Sequence, residues 1–415
     1  MTQDLNPWTA LREDNKATTC SERAACLIFC LTSVQLAFLH PYLVLVPDER
    51  ANVFSGLLCA LSGVSAWILV KGSSRFIKSP AFIISLVLSI LIALSSIFSS
   101  TPVSSSYRGF VVLASGFGGF WCARILLASR ARQVLFAWLC LVMMAAVTAL
   151  SLIGYLVSGQ IEYFLDVNSH PLADRMMLLS FAPLAFVFWG KNPVAVASVI
   201  VLMLAYAAFY LSNLRAGILI PPILALLAVL FGALRLRYFV ALFIPLLVII
   251  VCFFHQLPKA KMGPEYEPTY YRAENYPFSW HIAVKHPLLG IGLRAPRDRF
   301  LGDYRITYPY VTKEKFAESV QRVVTSENVF LTFMSGLGFP FVILYTGCVL
   351  ILFVRLGRMA RIPQQATFLP ALAVLLPIAA GLLHFQVFDG LLNPQISWFF
   401  HVLLGMIPPR PIETA

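Results

Sequence analysis

Long apolar stretches separated by short polar connections dominate the chain. A helix that crosses a bilayer needs about 20 mostly apolar residues, and the chain has twelve apolar stretches, of which all but 176–189 and 396–407 approach or exceed that length. They lie at 24–46, 52–70, 81–99, 109–128, 134–157, 176–189, 193–211, 216–234, 238–254, 329–354, 366–384 and 396–407. The pattern therefore predicts an all-α integral membrane protein with about twelve transmembrane helices.

Composition agrees with this class. The 415 residues are 59% hydrophobic and only 12% charged, whereas soluble domains are nearer half apolar and about a quarter charged. These figures exclude a disordered chain, a secreted disulfide scaffold and a soluble nucleic-acid-binding domain. None of the 8 cysteines falls in the long polar segment at 255–326, and none has the spacing of a metal site.

Basic residues alternate between the short connections. One set of connections holds 12 Lys and Arg residues, whereas the facing set holds four arginines. Since positive residues mark cytoplasmic connections, we predict that both termini are cytoplasmic. The predicted order is a tail at 1–23, nine helices at 24–254, a long external loop at 255–326, three helices at 327–408 and a tail at 409–415.

The long loop combines positive charge with aromatic residues. It contains 11 Lys and Arg residues and 7 tyrosines, and its length of about 70 residues is far beyond that of an ordinary connection. Together with Phe278, Trp280 and Phe300, the tyrosines favour a folded cover, in which 279–285 forms an amphipathic helix at the lipid interface. A set of interfacial anchors without chemistry is the alternative.

Arginines near the outer helix ends are the first candidates for function, because an arginine in a membrane bundle is costly unless it is paired or faces water. Arg215 follows Ser212-Asn213-Leu214 and precedes an apolar helix. Its guanidinium either faces an outward cavity or extends to lipid headgroups. Arg175 is the second such arginine, and His170 is an external candidate near the carboxylate of Asp166.

Arg272 lies in the long loop, 14 positions before the segment His286-Pro-Leu-Leu-Gly-Ile-Gly. Two arginines on the outer face suit a diphosphate, because the planar guanidinium binds phosphate oxygens in pairs and keeps its proton. The segment at His286 favours a tight turn that fixes the loop against the bundle over a catalytic role.

Glu327 begins the segment Glu-Asn-Val-Phe-Leu at the outer end of the tenth stretch. A carboxylate at this boundary, beside basic groups, is suited to accept a proton as a general base. Acidic residues also favour helix amino-termini, so Ser326-Glu327-Asn328 is equally suited to cap the helix.

The order of these segments resembles the O-antigen ligase and O-antigen polymerase family of bacterial envelope glycosyltransferases. The matching pieces are Arg215-x3-Leu219, Arg272-x3-Tyr276, the turn at His286, Glu327-Asn-x2-Leu331-x6-Gly338, and a similar segment from Asp166 to Ala173. The resemblance covers about 160–345 by motif and the whole chain by topology.

The resemblance implies a GT-C-like fold in the bacterial inner membrane. It implies transfer of a glycan from undecaprenyl diphosphate to an acceptor sugar at the periplasmic face, with inversion and without a metal or other cofactor. Arg215 and Arg272 would bind the diphosphate and Glu327 would be catalytic. The further residues assigned to the substrate site are Tyr276, His286, Asn328, Arg175 and His170.

One difference from the family pattern favours one of the two activities over the other. Ligases of the family have a histidine where this chain has Glu327, which favours a polymerase acting on lipid-linked oligosaccharide and an acceptor glycan, with a chain-length regulator as a possible partner. A ligase that uses lipid A core or a protein acceptor is the alternative. A polytopic transporter or flippase is the alternative of another class. Membrane lipids are further expected partners, and no nucleic-acid partner is expected.

Overall fold

The computed structural model of the protein describes residues 19–39, 48–159, 169–189, 193–211, 215–230, 236, 240, 267–322, 325–361 and 370–408. This part of the chain is helical and contains no strand. The helices are α1 (Cys20–Val34), α2 (Asp48–Leu69), α3 (Pro80–Ile97), α4 (Pro102–Leu126), α5 (Arg130–Ser158), α6 (Ser169–Leu179), α7 (Phe181–Trp189), α8 (Pro193–Leu211), α9 (Arg215–Leu230), α10 (Glu267–Lys285), α11 (Lys313–Arg322), α12 (Val329–Leu337), α13 (Phe339–Arg361), α14 (Ala371–His384) and α15 (Pro394–Met406).

The all-α membrane class is confirmed. Eight helical segments in the described residues are long and apolar enough to cross a membrane, and they correspond to the first seven predicted stretches and the tenth. Helices α9, α14 and α15 have only 16, 14 and 13 residues. The predicted helix at 238–254 lies outside the described residues except for its third position, so the total of twelve stays a prediction.

The tenth predicted stretch, 329–354, is wrong as a single helix. The chain breaks at Gly338, which has φ of 85° and ψ of 169°, and separates a short α12 from a long α13. A β-carbon at Gly338 would lie 2.3 Å from the carbonyl oxygen of Leu288, so only glycine permits the turn after α10 to pass this closely. Pro340 then lies in the first turn of the new helix, where its missing N–H costs nothing.

The sixth predicted stretch, 176–189, begins too late. Helix α6 starts at Ser169, ends at Leu179 and is followed after Ser180 by α7. The segment Pro171–Phe188 is 89% buried, against 22% for α3. Helices α6 and α7 therefore lie in the interior of the bundle. The polar residues at the start of α6 lower the mean hydropathy of this segment, and neighbouring helices bury them.

Helices α4 and α15 pack closely at the centre of the bundle. A β-carbon at Gly119 would lie 2.8 Å from the carbonyl oxygen of Trp398, and one at Gly405 would lie 2.3 Å from that of Phe120. Small residues allow membrane helices to approach to such distances. Outer helices such as α3 and α13 leave isoleucine and leucine side chains exposed for lipid.

The described part of the long loop is folded, as predicted. Helix α10 is longer than the predicted segment 279–285, and it packs with α11 around a small core of its own. The buried members of this core include Tyr271, Phe278, Ile282, Leu301, Phe316 and Val320.

The turn after His286 fixes this loop to the bundle. The amides of Ile291 and Gly292 donate to the carbonyls of Ser335 and Gly336 on α12, both at 2.9 Å, and the Ser99 hydroxyl after α3 donates to the Ile291 carbonyl at 2.9 Å. Gly292 has φ of 95°. These bonds attach the turn after α10 to the last residues of α12, which is the structural role that the sequence favoured for the turn.

Candidate functional site

Arg272 and Glu327 form an ion pair where α10 crosses the start of α12. The Arg272 Nε donates to Glu327 Oε2 at 2.9 Å, and the two side chains are 37% and 29% exposed. Among the described residues, no hydrogen bond reaches the two Nη atoms of Arg272 or the second oxygen of Glu327. The pair therefore offers an open cationic edge beside an open carboxylate oxygen.

The backbone of Glu327 is in the left-handed region, with φ of 54°. This conformation costs a residue other than glycine roughly 1–2 kcal/mol, and backbone strain of this kind is enriched at functional sites. The helix cap is Asn328, whose side chain accepts from the Leu331 amide at 3.1 Å. The segment Ser326-Glu327-Asn328 therefore does cap the helix, but through Asn328 and not through Glu327, whose carboxylate contacts Arg272 instead.

Thr325, two positions before Glu327, is held from the loop side. The Thr325 carbonyl accepts from the Tyr271 hydroxyl at 3.1 Å, from Asn275 Nδ2 at 3.1 Å and from Arg297 Nη1 at 2.8 Å. Three donors on one carbonyl fix the path of the chain into Glu327.

Arg297 is a buried cation of the site that sequence reasoning missed. It is 4% exposed, its Nη2 donates to the Ser279 hydroxyl at 2.5 Å, and its guanidinium lies 5.2 Å from the centre of the Phe278 ring. Burial lowers the pKa of the Arg297 guanidinium from its ordinary value, while nearby Tyr271 and Asp389 act in the opposite direction.

Asp389 is the second missed residue, in the connection between α14 and α15. Its Oδ2 accepts from the Glu327 amide at 2.8 Å, and its Oδ1 accepts from the Thr332 hydroxyl at 2.7 Å. Burial raises the pKa of the Asp389 carboxyl above its ordinary value, opposed by hydrogen bonds and by the charge of Arg297. In the sequence, its position near a predicted helix end was the only sign that Asp389 could belong to a functional site.

Three other predicted site residues have structural contacts. The Tyr276 hydroxyl donates to the Gln386 carbonyl at 2.9 Å, and Asn328 Nδ2 donates to the same carbonyl at 3.0 Å. Burial raises the pKa of Tyr276. The His286 ring lies edge-on to Phe300, with ring centres 5.2 Å apart. Tyr276 and Asn328 border the ion pair, whereas His286 belongs to the turn.

Arg175 lies inside the bundle and not at its outer surface. It has no exposed surface, and its Nη1 donates to the carbonyl of Ala37 at 2.7 Å, within the π-helical turn Gln35–Leu39. Beside it in sequence, Asp174 Oδ1 lies 2.6 Å from His384 Nδ1, and both side chains are fully buried. These contacts connect α6 to the π-helical turn that follows α1 and to α14.

Arg215 and His170 stand near the starts of α9 and α6. Their side chains lie outside the described part of the structure, so the predicted approach of Arg215 to Arg272 stays a prediction.

An apolar cavity of about 100 Å³ lies among α5 to α9 and α14. Its wall includes Met176, Met177, Tyr206, Phe209, Pro221 and Ala380. Ligand pockets usually occupy about 300–1,000 Å³, so this space does not enclose a long lipid chain.

The described residues contain no group of three or more His, Cys, Asp or Glu side chains suited to a metal ion. No protein-family model matches the chain, and no curated protein matches it at a significant level.

Proposed function

We propose that the protein is a membrane glycosyltransferase that moves a glycan from undecaprenyl diphosphate onto an acceptor sugar at the periplasmic face, and that it acts as a polysaccharide polymerase in the bacterial inner membrane. The observation that carries the proposal is the ion pair of Arg272 and Glu327. It combines an anion-binding edge and a carboxylate base in one partly exposed position, where a folded loop meets the ends of membrane helices.

The proposed reaction assigns one task to each member of the pair. The Glu327 carboxylate accepts the proton of an acceptor hydroxyl, whose oxygen attacks the anomeric carbon from the face opposite the diphosphate. The bond between that carbon and the diphosphate oxygen breaks, and its electron pair stays on the diphosphate. Arg272, with Arg215 as the proposed second cation, neutralises the charge that develops on this leaving group.

The apolar cavity among the described helices is too small for the carrier lipid. Because the apolar cavity holds only about 100 Å³, we propose that the polyprenyl chain lies against the lipid-facing side of the bundle. Its diphosphate would then reach Arg272 from the membrane boundary, and its sugars would meet the loop above.

Polymer analysis in cells tests the proposal. We expect Arg215→Ala and Arg272→Ala to shorten or abolish the polymer at normal expression, because each removes a cation from the donor site. Arg299→Ala is the matched control, since Arg299 is an exposed arginine of the same loop. Undiminished polymer in both site variants would contradict the proposal.

Deletion of the gene separates the two glycosyltransferase activities. Loss of a polymerase leaves single lipid-linked repeat units, whereas loss of a ligase leaves lipid-linked polymer. Accumulated polymer would therefore replace our proposal with ligation to lipid A core or a protein acceptor.

A transporter is the second candidate function, favoured by the fully buried pair of Asp174 and His384 beside Arg175. Ionisable groups inside a bundle often mark transport pathways. Reconstitution in vesicles distinguishes the two classes, because a glycosyltransferase releases undecaprenyl diphosphate from a lipid-linked oligosaccharide, whereas a transporter moves the intact lipid between leaflets.

A further inference from the structure

Asp389 contacts the backbone of Glu327, although the two residues are 62 positions apart in the sequence. The Glu327 amide donates to Asp389 Oδ2 at 2.8 Å. An amide that is shielded from water and has no acceptor is costly, and the Glu327 amide has no partner within α12 because Glu327 precedes the helix cap Asn328. Asp389 supplies the acceptor that this amide requires.

The second oxygen of Asp389 fixes the direction of the first. Oδ1 accepts from the Thr332 hydroxyl at 2.7 Å, and the same Thr332 oxygen accepts from the Ser326 amide at 3.0 Å. Ser326 and Glu327 are thus tied through Asp389 and Thr332 to two separate elements, α12 and the connection after α14.

Asp389 has little room to move away from Glu327. A β-carbon on the next residue, Gly390, would lie 2.6 Å from the Phe385 ring and 2.7 Å from Asp174 Oδ2. The Phe385 carbonyl also accepts from the Val329 amide at 3.0 Å. The connection that carries Asp389 is therefore packed between the start of α12 and the buried Asp174.

We propose that Asp389 is a positioning residue for the general-base step, which holds the Glu327 amide and so directs the Glu327 carboxylate at the acceptor hydroxyl. The assignment rests on the proposed function. Asp389 itself has 7% exposure and does not touch the substrate, so it acts through the geometry of Glu327.

The kinetic test uses the full-length protein in lipid nanodiscs. Its substrate is the lipid-linked oligosaccharide extracted from cells that lack the gene, and the readout is release of undecaprenyl diphosphate. We expect Asp389→Ala to lower kcat about 10- to 100-fold, because a displacement of about 1 Å is enough for such a loss. KM for the donor should stay within about threefold, since Arg272 is untouched.

Two further variants keep the test decisive if Asp389→Ala does not fold. Asp389→Asn retains one acceptor oxygen for the Glu327 amide and can donate its Nδ2 to the Thr332 oxygen in place of the lost acceptor, so its kcat should stay well above that of Asp389→Ala. Asp389→Glu keeps the charge but moves the acceptor by one methylene, so its kcat should fall about tenfold.

Glu274→Ala is the matched structural control. It also removes a buried carboxylate that accepts backbone amides, but on the side of α10 remote from Glu327. We expect it to lower the melting temperature and leave kcat per folded molecule unchanged. Equal losses of kcat in Glu274→Ala and Asp389→Ala would overturn the positioning role.

Hydrogen exchange at the Glu327 amide tests the contact itself. We expect faster exchange in Asp389→Ala and near wild-type exchange in Asp389→Asn. Unchanged exchange, or a wild-type kcat in Asp389→Ala, would overturn the assignment and leave the proposed function standing. No release of undecaprenyl diphosphate by the wild-type protein would overturn the proposed function and this assignment with it.

Discussion

Glu274 and Glu327 are two carboxylates in contact with the same loop, and their surroundings are opposite. Glu274 is fully buried and accepts from the Tyr304 hydroxyl at 2.5 Å and from the amides of Thr307 and Tyr308 at 3.0 and 2.8 Å. Glu327 is 29% exposed and has one side-chain partner, Arg272.

Glu274 therefore stabilises the fold, whereas the Glu327 carboxylate is available for chemistry. The donors around Glu274 occupy both oxygens and leave no path for water or a substrate. At Glu327 the hydrogen bonds fall on the backbone instead, through Asp389, and one carboxylate oxygen has no partner among the described residues. The following changes test this contrast.

Glu327→Gln should give the largest effect. Turnover should fall by about 10²- to 10⁴-fold, the usual loss when a general base is removed, whereas the affinity for undecaprenyl diphosphate should hardly change. Glu327→His should retain part of the activity, because imidazole also accepts a proton. Release of undecaprenyl diphosphate measures both variants, and full turnover in Glu327→Gln would reduce the residue to an ion-pair partner.

Arg272→Ala should weaken the binding of undecaprenyl diphosphate on the order of 10- to 100-fold, since a charged hydrogen bond contributes about 1.5–3 kcal/mol. Arg272→Lys should restore only part of the affinity, because an ammonium group cannot bind two oxygens side by side. Titration in nanodiscs measures this, with Arg299→Ala as the exposed control. Equal affinities in Arg272→Ala and Arg299→Ala would contradict a donor site at Arg272.

Glu274→Gln should lower the free energy of unfolding by about 1.5 kcal/mol, because the new amide group faces N–H donors and one hydrogen bond is lost. Thermal unfolding in nanodiscs should register the change, while turnover per folded molecule should stay at the wild-type level. A loss of turnover without a loss of stability would show that Glu274 belongs to the reactive region after all.

Asp303→Ala should have the smallest effect. Asp303 pairs with Lys285 at 2.7 Å but is 79% exposed, and exposed ion pairs contribute little. The Lys285 ammonium lowers the pKa of the Asp303 carboxyl, so any stabilisation is present at neutral pH and disappears as the pH falls through that lowered pKa. Melting temperatures at neutral and acidic pH should match the wild type, and a clear drop would contradict the weakness of this pair.

Part of the candidate site could be predicted from the sequence. Arg272 and Glu327 are 55 positions apart, yet both stand out in the sequence as charged residues in or beside the long polar segment between predicted membrane helices. The bilayer makes such residues costly unless they have a partner. The turn at His286 was likewise recognisable from its proline and glycines.

The rest of the site could not be predicted because its signals are ambiguous one residue at a time. Arg297 is one of 11 basic residues in the loop, and nothing local shows that it is buried against Phe278. Arg175 looked like an external arginine, but its guanidinium reaches a carbonyl of the π-helical turn at Ala37. Each role depends on a partner far away in the chain.

The sequence by itself determined the all-helical membrane class and indicated the folded long loop, because apolar length and composition are local properties that the bilayer selects directly. Only the tertiary structure decided that α12 ends at Gly338, that Asn328 and not Glu327 caps it, and that Asp389 holds the Glu327 amide. Those features arise where the loop, α12 and the connection after α14 pack together, and close packing is a property of the assembled chain.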